Sequence, residues 1–239
     1  MDALEEKLAK TCLVPLVPKK DFTPELARSA ERVSKRVGMT ANNVHAMANA
    51  PELGGIVRGF LDDVWDHGEL PKPLKALIRQ KVSNINACLY CSAHQVRVMM
   101  SQNVPKEKID NMHAYESHPD FTKKERAALA FAEALTIDAS NIPIAIQKRA
   151  VDELTPQERV EVSIVATAMG VLNRLNDALN VPLEEPMHDI GRTILFDKGE
   201  DLARVQTLSN NEQLNEEFSF KKKSKINKYF VIVNRIILS

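Results

Sequence analysis

The sequence predicts an all-α protein. Three features carry this: scarce glycine, recurrent helix-start signals, and helical spacing of the apolar residues between those signals. Only 8 of 239 residues are glycine and aromatics make up 5%, which leaves little material for hairpin turns or β-rich strands. No segment sustains period-two alternation until the last stretch of the chain, Tyr229 to Ser239.

The elements follow in order. Thr23-Pro24-Glu25 places a capping hydroxyl before a proline at the first helical position, and Gly38 closes that run. Thr40 is expected to cap a short helix through Asn49, and Pro51 opens another that runs to about Gly68. Pro71 or Pro73 starts the segment Leu74 to Val82, and Pro105 a helix from Lys106 to Glu116. Thr122-Lys123-Lys124-Glu125 and Thr155-Pro156-Gln157-Glu158 both match the capping box, in which hydroxyl and carboxylate each satisfy a free backbone N–H. After Thr122, residues Ala128, Phe131, Ala132 and Leu135 fall on one helical stripe. Val162 to Leu172 carries no charge, so that helix is expected to lie centrally or in a subunit interface.

The expected division is an N-terminal arm over 1–23, a helical domain over 24–186, and a partly disordered C-terminal extension over 187–239. The arm is extended near Pro15 and Pro18; the extension carries a basic cluster, Lys221-Lys222-Lys223-Ser224-Lys225, before its apolar end. No function is assigned to that cluster. With 32 basic and 32 acidic side chains the chain has no formal net charge, which argues against a general nucleic-acid binder. At 44% hydrophobic it has material for a core, yet no run approaches the roughly 18 apolar residues of a membrane span. The charged N-terminus lacks a signal core, so the expected compartment is the cytoplasm.

The chemistry points to the three cysteines, Cys12, Cys88 and Cys91. An odd, small number without a signal peptide is not a disulfide framework. Cys88 and Cys91 are spaced Cys-x-x-Cys, and His94 follows one helical turn after the second. On one helix the two thiols are neighbours, and the imidazole can exchange a proton with Cys91. Such a set suits a reversible dithiol/disulfide cycle, in which one sulfur attacks an oxidised substrate and the other closes a disulfide. Three zinc ligands are an alternative, but none of His67, His113 and His118 has a spacing that recommends it as the fourth. No metal and no cofactor are therefore assigned. A thioredoxin-type site would need strands alternating with helices. A structural pair of buried cysteines stays open. Of the remaining histidines, His45 lies in a short amphipathic helix, His67 precedes Gly68 at a helix end, and His113, His118 and His188 read as surface residues.

At Cys88-x-x-Cys91-x-x-His94 the sequence resembles the alkylhydroperoxidase-D-like branch of the carboxymuconolactone decarboxylase family. The resemblance extends to Asn43 through Leu53, to Leu70-Pro71 with Leu74 through Ile78, to Phe121 through Leu129, and to Asn173-Arg174-Leu175-Asn176-Asp177. It implies a compact multi-helix domain that assembles as a homotrimer or homohexamer. It also implies a peroxidatic cysteine pair with a proton relay, reducing hydroperoxides with electrons from a thiol or dithiol donor. The family's relay glutamate stands twelve residues before the first cysteine, where this chain has Ala76. Glu69 and Glu161 are the candidate stand-ins. The family's histidine often lies four residues after the second cysteine; Gln95 is there, with His94 one place earlier.

The expected function is a thiol-dependent peroxidase or disulfide oxidoreductase in antioxidant defence, with Cys88, Cys91 and His94 as its catalytic residues. Two alternatives stand beside it: a non-catalytic redox-sensing or partner-binding helical oligomer, and a lactone decarboxylase-type enzyme. The helix dipole favours Cys88 as the attacking sulfur. The base favours Cys91, since His94 lies about 240° around the helix from Cys88, and Cys91 is the expected attacker.

Overall fold

The computed structural model describes residues 11–191, and among these every regular element is helical. In chain order they are α1 (Pro24–Val37), α2 (Asn42–Met47), α3 (Pro51–Asp66), α4 (Lys72–Ile85), α5 (Leu89–Ser101), α6 (Lys106–Asp110), α7 (Lys123–Asp138), α8 (Ile144–Glu153) and α9 (Pro156–Ala178), with short 3-10 turns at Lys19–Asp21, Met112–Ala114 and Glu185–Met187. None of the described helices is long and apolar enough to cross a membrane. The basic cluster at Lys221 to Lys225 and the apolar end lie outside the described residues, as do residues 1–10 of the arm.

The threonine caps form as the sequence predicts. Thr122 Oγ1 accepts from Glu125 N while a Glu125 carboxylate oxygen accepts from Thr122 N, and Thr155 with Glu158 repeats the exchange. Each such cap contributes about 1 kcal/mol. Two boundaries differ. The short helix begins at Asn42 with Ala41 before it, because the Asn42 N–H is satisfied by the distant Glu184 carboxylate rather than by Thr40. The helix after Pro105 stops at Asp110, and a 3-10 turn then directs Met112 and Tyr115 into the core, where the Tyr115 hydroxyl donates to Glu133 Oε2 at 2.6 Å.

The centre of the bundle is shared by α4 and α9, which pack against each other and both against α5 and α7. Val162, Val165, Ala166, Met169 and Leu172 of α9 are buried, as the uncharged stretch predicts. The burial of α4 is less obvious from its composition. Its lysines are absorbed individually: Lys75 Nζ donates to the carbonyls of Val64, Trp65 and His67 at the end of α3, and Lys81 Nζ pairs with Glu133 at 3.2 Å. The Arg79 guanidinium lies 5.1 Å from the Trp65 ring centroid. The arm runs back along the helices, with Leu13 N–H donating to Leu179 O at 2.9 Å and Val17 N–H to His45 O at 3.2 Å.

Candidate active site

The cysteine segment sits where α4 turns into α5. Ala87 takes a left-handed conformation (φ 54°), which costs a non-glycine residue about 1–2 kcal/mol. That turn places Cys88 at the N-cap of α5 and Cys91 in its first turn. Cys88 is therefore outside the helix, a correction to the picture of two thiols on one helical face. Its N–H donates to Ser83 O at 3.0 Å and its C=O accepts from Ser92 N at 2.9 Å. Both sulfurs now lie at the positive end of α5, so the dipole no longer singles out Cys88. The turn is pinned to α9 by amides: Asn86 Nδ2 donates to Asn173 Oδ1 at 2.8 Å, and Asn173 Nδ2 to Ser83 Oγ at 3.3 Å.

All three cysteines are free thiols; Cys88 and Cys91 are buried, and Cys12 is half-buried in the arm. Asn176 Nδ2 donates to Cys91 Sγ at 3.1 Å. The Cys88 thiol is fully buried beside Cys91, and that neighbour together with its burial holds it far above an ordinary thiol. The Asn176 amide offers a hydrogen to Cys91. The Arg79 guanidinium adds positive charge near Cys91; burial and repulsion from Arg36 and Arg58 push its own pKa down to about 9.

His94 is buried on α5 one turn beyond Cys91, yet its ring nitrogens bond elsewhere. Nδ1 lies 2.8 Å from Tyr90 O, and Nε2 3.0 Å from Glu184 Oε2. A carbonyl can only accept, so Nδ1 carries a hydrogen. The charged imidazolium then also presents a hydrogen from Nε2 toward the Glu184 carboxylate. The Nε2–Oε2 contact lies off the hydrogen-bond line, and neither atom has another partner among the described residues. The pair is an ion pair when the imidazole is protonated. Tyr90 completes the group: its ring stacks on His94 at 4.3 Å, its hydroxyl donates to Glu184 Oε1 at 2.8 Å, and that hydroxyl accepts from Asn43 N at 3.2 Å. Burial and the neighbouring Glu184 charge keep the Tyr90 hydroxyl protonated well above the ordinary tyrosine range. Burial alone would raise Glu184, but the adjoining His94 holds its carboxyl below the usual glutamate value.

Glu184 therefore occupies the place opposite His94 that the expected stand-ins do not. Glu161 instead accepts the backbone N–H groups of Glu69 and Leu70, both at 2.8 Å, and closes the loop between α3 and α4. Gly68, at φ 98°, leaves room for it, since a Cβ there would lie 2.6 Å from Glu161 Oε2. The Glu69 side chain is exposed. Ala76 is fully buried in α4. Sequence reasoning missed Glu184 because it lies in a proline-containing segment beyond α9 and meets His94 only through the fold. Asn176 and Asp177 did leave a signal, in the polar run Asn173-Arg174-Leu175-Asn176-Asp177 that follows the uncharged stretch of the helix. Among the described residues no group of three or more His, Cys, Asp and Glu side chains converges as a metal site.

The fold and the dithiol define a class of helical, cysteine-pair proteins. Residues 51–134 match the sequence model of the family described as "CMD: Carboxymuconolactone decarboxylase family". Among curated protein sequences none matches. Solved structures share the fold. The debrominase Bmp8 aligns with a TM-score of 0.69 at 22% identity over 76% of this chain and 96% of that chain. An alkylhydroperoxidase AhpD core, an uncharacterised peroxidase-related protein from Ralstonia eutropha JMP134, aligns with a TM-score of 0.65 at 17% identity over 75% and 96%. An uncharacterised peroxidase-related protein from Silicibacter sp. TM1040 gives 0.64 at 20% identity over 74% and 94%.

Proposed function

We propose that the protein is a thiol-dependent peroxidase in which Cys91 attacks a hydroperoxide and Cys88 closes the disulfide. The observation that carries this reading is the Asn176 amide N–H directed at the buried Cys91 sulfur, beside a Cys88 thiol held far above the ordinary range. A sulfur that accepts a hydrogen bond is stabilised as thiolate, whereas one buried without such a donor is held as thiol. In the first step the Cys91 thiolate takes the distal oxygen of R–O–O–H. The O–O bond breaks, RO⁻ leaves and picks up a proton, and Cys91 becomes a sulfenic acid. Cys88 then displaces hydroxide to form the disulfide, and a thiol or dithiol donor returns both sulfurs to the reduced state.

His94 serves this cycle one turn from Cys91, held by Glu184 and Tyr90, rather than as a base in direct contact with the sulfur. Assembly as a homotrimer or homohexamer belongs to the same proposal. Its support is exposed apolar surface: Leu53, Ile56 and Phe60 on one face of α3, and Val160 and Ile164 on α9. The test is peroxide consumption with a small dithiol as donor. An enzyme consumes peroxide over many cycles, a redox sensor oxidises once and stops, and a decarboxylase keeps its activity without either cysteine.

A further inference from the structure

Only one end of the Asn176 amide is engaged. The residue lies on α9 at 2% exposure, and its Nδ2 donates to the Cys91 sulfur at 3.1 Å. Its Oδ1 is buried and has no hydrogen-bond partner among the described residues. Asn173, one turn earlier on the same helix, shows the contrast. Its Oδ1 accepts from Asn86 Nδ2 at 2.8 Å and its Nδ2 donates to Ser83 Oγ at 3.3 Å, so both ends of that amide hold the turn before Cys88. A buried carbonyl with no donor costs stability. The fold therefore accounts for Asn173 and leaves half of Asn176 to be explained.

The reaction offers an explanation. The oxygen and nitrogen of an amide lie side by side in one plane. An oxygen poised for transfer stands about 3–3.5 Å from the attacking sulfur, within hydrogen-bond reach of an acceptor whose own amide nitrogen touches that sulfur. In R–O–O–H the oxygen to be transferred carries a hydrogen, whereas the thiolate has none to give.

We propose that Asn176 binds the hydroperoxide group, its Oδ1 accepting the O–H hydrogen of R–O–O–H while its Nδ2 holds the Cys91 sulfur. The ligand class is a hydroperoxide and not a dialkyl peroxide, whose oxygens carry no hydrogen. This rests on the peroxidase reading above and adds the contact that orients its substrate. The step balances as follows. The Cys91 thiolate gives an electron pair to the distal oxygen, the S–O bond forms as the O–O bond breaks, and RO⁻ leaves and takes a proton from water. The hydrogen stays on the transferred oxygen, so Oδ1 accepts first from the peroxide and then from the sulfenic acid. The sulfur is oxidised, the peroxide is reduced, and the amide exchanges no proton.

The experiment treats full-length, reduced protein at neutral pH with hydrogen peroxide or with methyl methanethiosulfonate, which also consumes thiolate but has no hydrogen to donate. Both rates are read at Cys91 by mass spectrometry, the sulfenic acid being caught with a dimedone-type trap. Their ratio cancels the thiolate fraction, so a substitution that only alters ionisation of the sulfur leaves it unmoved. Asn176→Ala removes both ends of the amide and is expected to lower the peroxide-to-thiosulfonate ratio at least ten-fold. Asn176→Asp keeps an acceptor and loses the donor; both rates are expected to fall while the ratio stays within about three-fold of the wild type. The aspartate also keeps the shape of the side chain, so it carries the test if the alanine variant does not fold. An unchanged ratio in Asn176→Ala would overturn the inference, assign Oδ1 to a structural water, and leave the peroxidase reading standing. A ratio lost in Asn176→Asp as fully as in Asn176→Ala would overturn it as well. A wild type whose Cys91 is labelled by the thiosulfonate but left unchanged by peroxide would overturn both.

Discussion

Nε2 of His94 stands 3.0 Å from Oε2 of Glu184, although one residue is on α5 and the other lies beyond the end of α9. The contact does two things at once. It sets a carboxylate beside the buried imidazole, and it fastens the segment after α9 over the start of α2, since Glu184 also accepts the Asn42 N–H. Glu184→Gln keeps the size of the side chain and removes the charge. The expected outcome is about a ten-fold slower alkylation of Cys91 at neutral pH, equivalent to about 1.4 kcal/mol in the barrier. The stability effect has a definite sign. Glu184 is held below its ordinary value of 4.5, so its contribution is present above that value and is lost as pH falls through the depressed one. The melting-temperature difference between wild type and Glu184→Gln should be full at about pH 5–6 and shrink below about pH 4.

A glutamate at Ala76 should not improve peroxide turnover. Ala76 is fully enclosed, and the place opposite His94 is already taken by Glu184. Ala76→Glu forces a larger, charged side chain into a packed helix, at a cost of about 1–3 kcal/mol for overpacking alone. Thermal melting and peroxide turnover check this together: both are expected to fall. Raised turnover would mean that Glu184 does not serve His94.

Asp177→Asn should give a more stable protein. Asp177 has a raised pKa, so the folded state favours its proton; the stability this brings is present in acid and lost as pH rises through the raised value. Removing the carboxylate lifts that penalty at neutral pH. A higher melting temperature at pH 7, with the gain vanishing in acid, is the expected result.

The exposed faces of α3 and α9 give a further measurement. Leu53 at 68%, Ile56 at 69% and Val160 at 58% exposure are large apolar side chains left in water by the single chain. Light scattering at micromolar concentration is expected to find trimer or hexamer. Charged substitutions at Ile56 and Val160 should shift it toward monomer.

Much of this fold is written locally. Thr23, Thr122 and Thr155 announce their helices because a cap is a contact among residues three or four apart. The Cys88–Cys91–His94 segment is legible for the same reason. What could not be read is long-range or disguised. Nothing near Glu184 marks it as the partner of His94, and the contact exists only because α9 returns the chain to α5. The central place of α4 is hidden by Lys75, Arg79 and Lys81, whose charges are met by carbonyls, the Trp65 ring and Glu133. The displacement of Cys88 out of α5 is hidden by Ala87, where a left-handed turn would ordinarily be signalled by glycine or asparagine.

The most direct test compares the two sulfurs. Full-length wild type, Cys88→Ser and Cys91→Ser are each given hydrogen peroxide and a small dithiol, and peroxide loss is followed over many equivalents. The wild type is expected to turn over repeatedly and pass through a Cys88–Cys91 disulfide. Cys88→Ser should consume about one equivalent and stop as a sulfenic acid on Cys91, and Cys91→Ser should consume none. Turnover that survives Cys91→Ser would contradict the account, as would a disulfide formed mainly through Cys12.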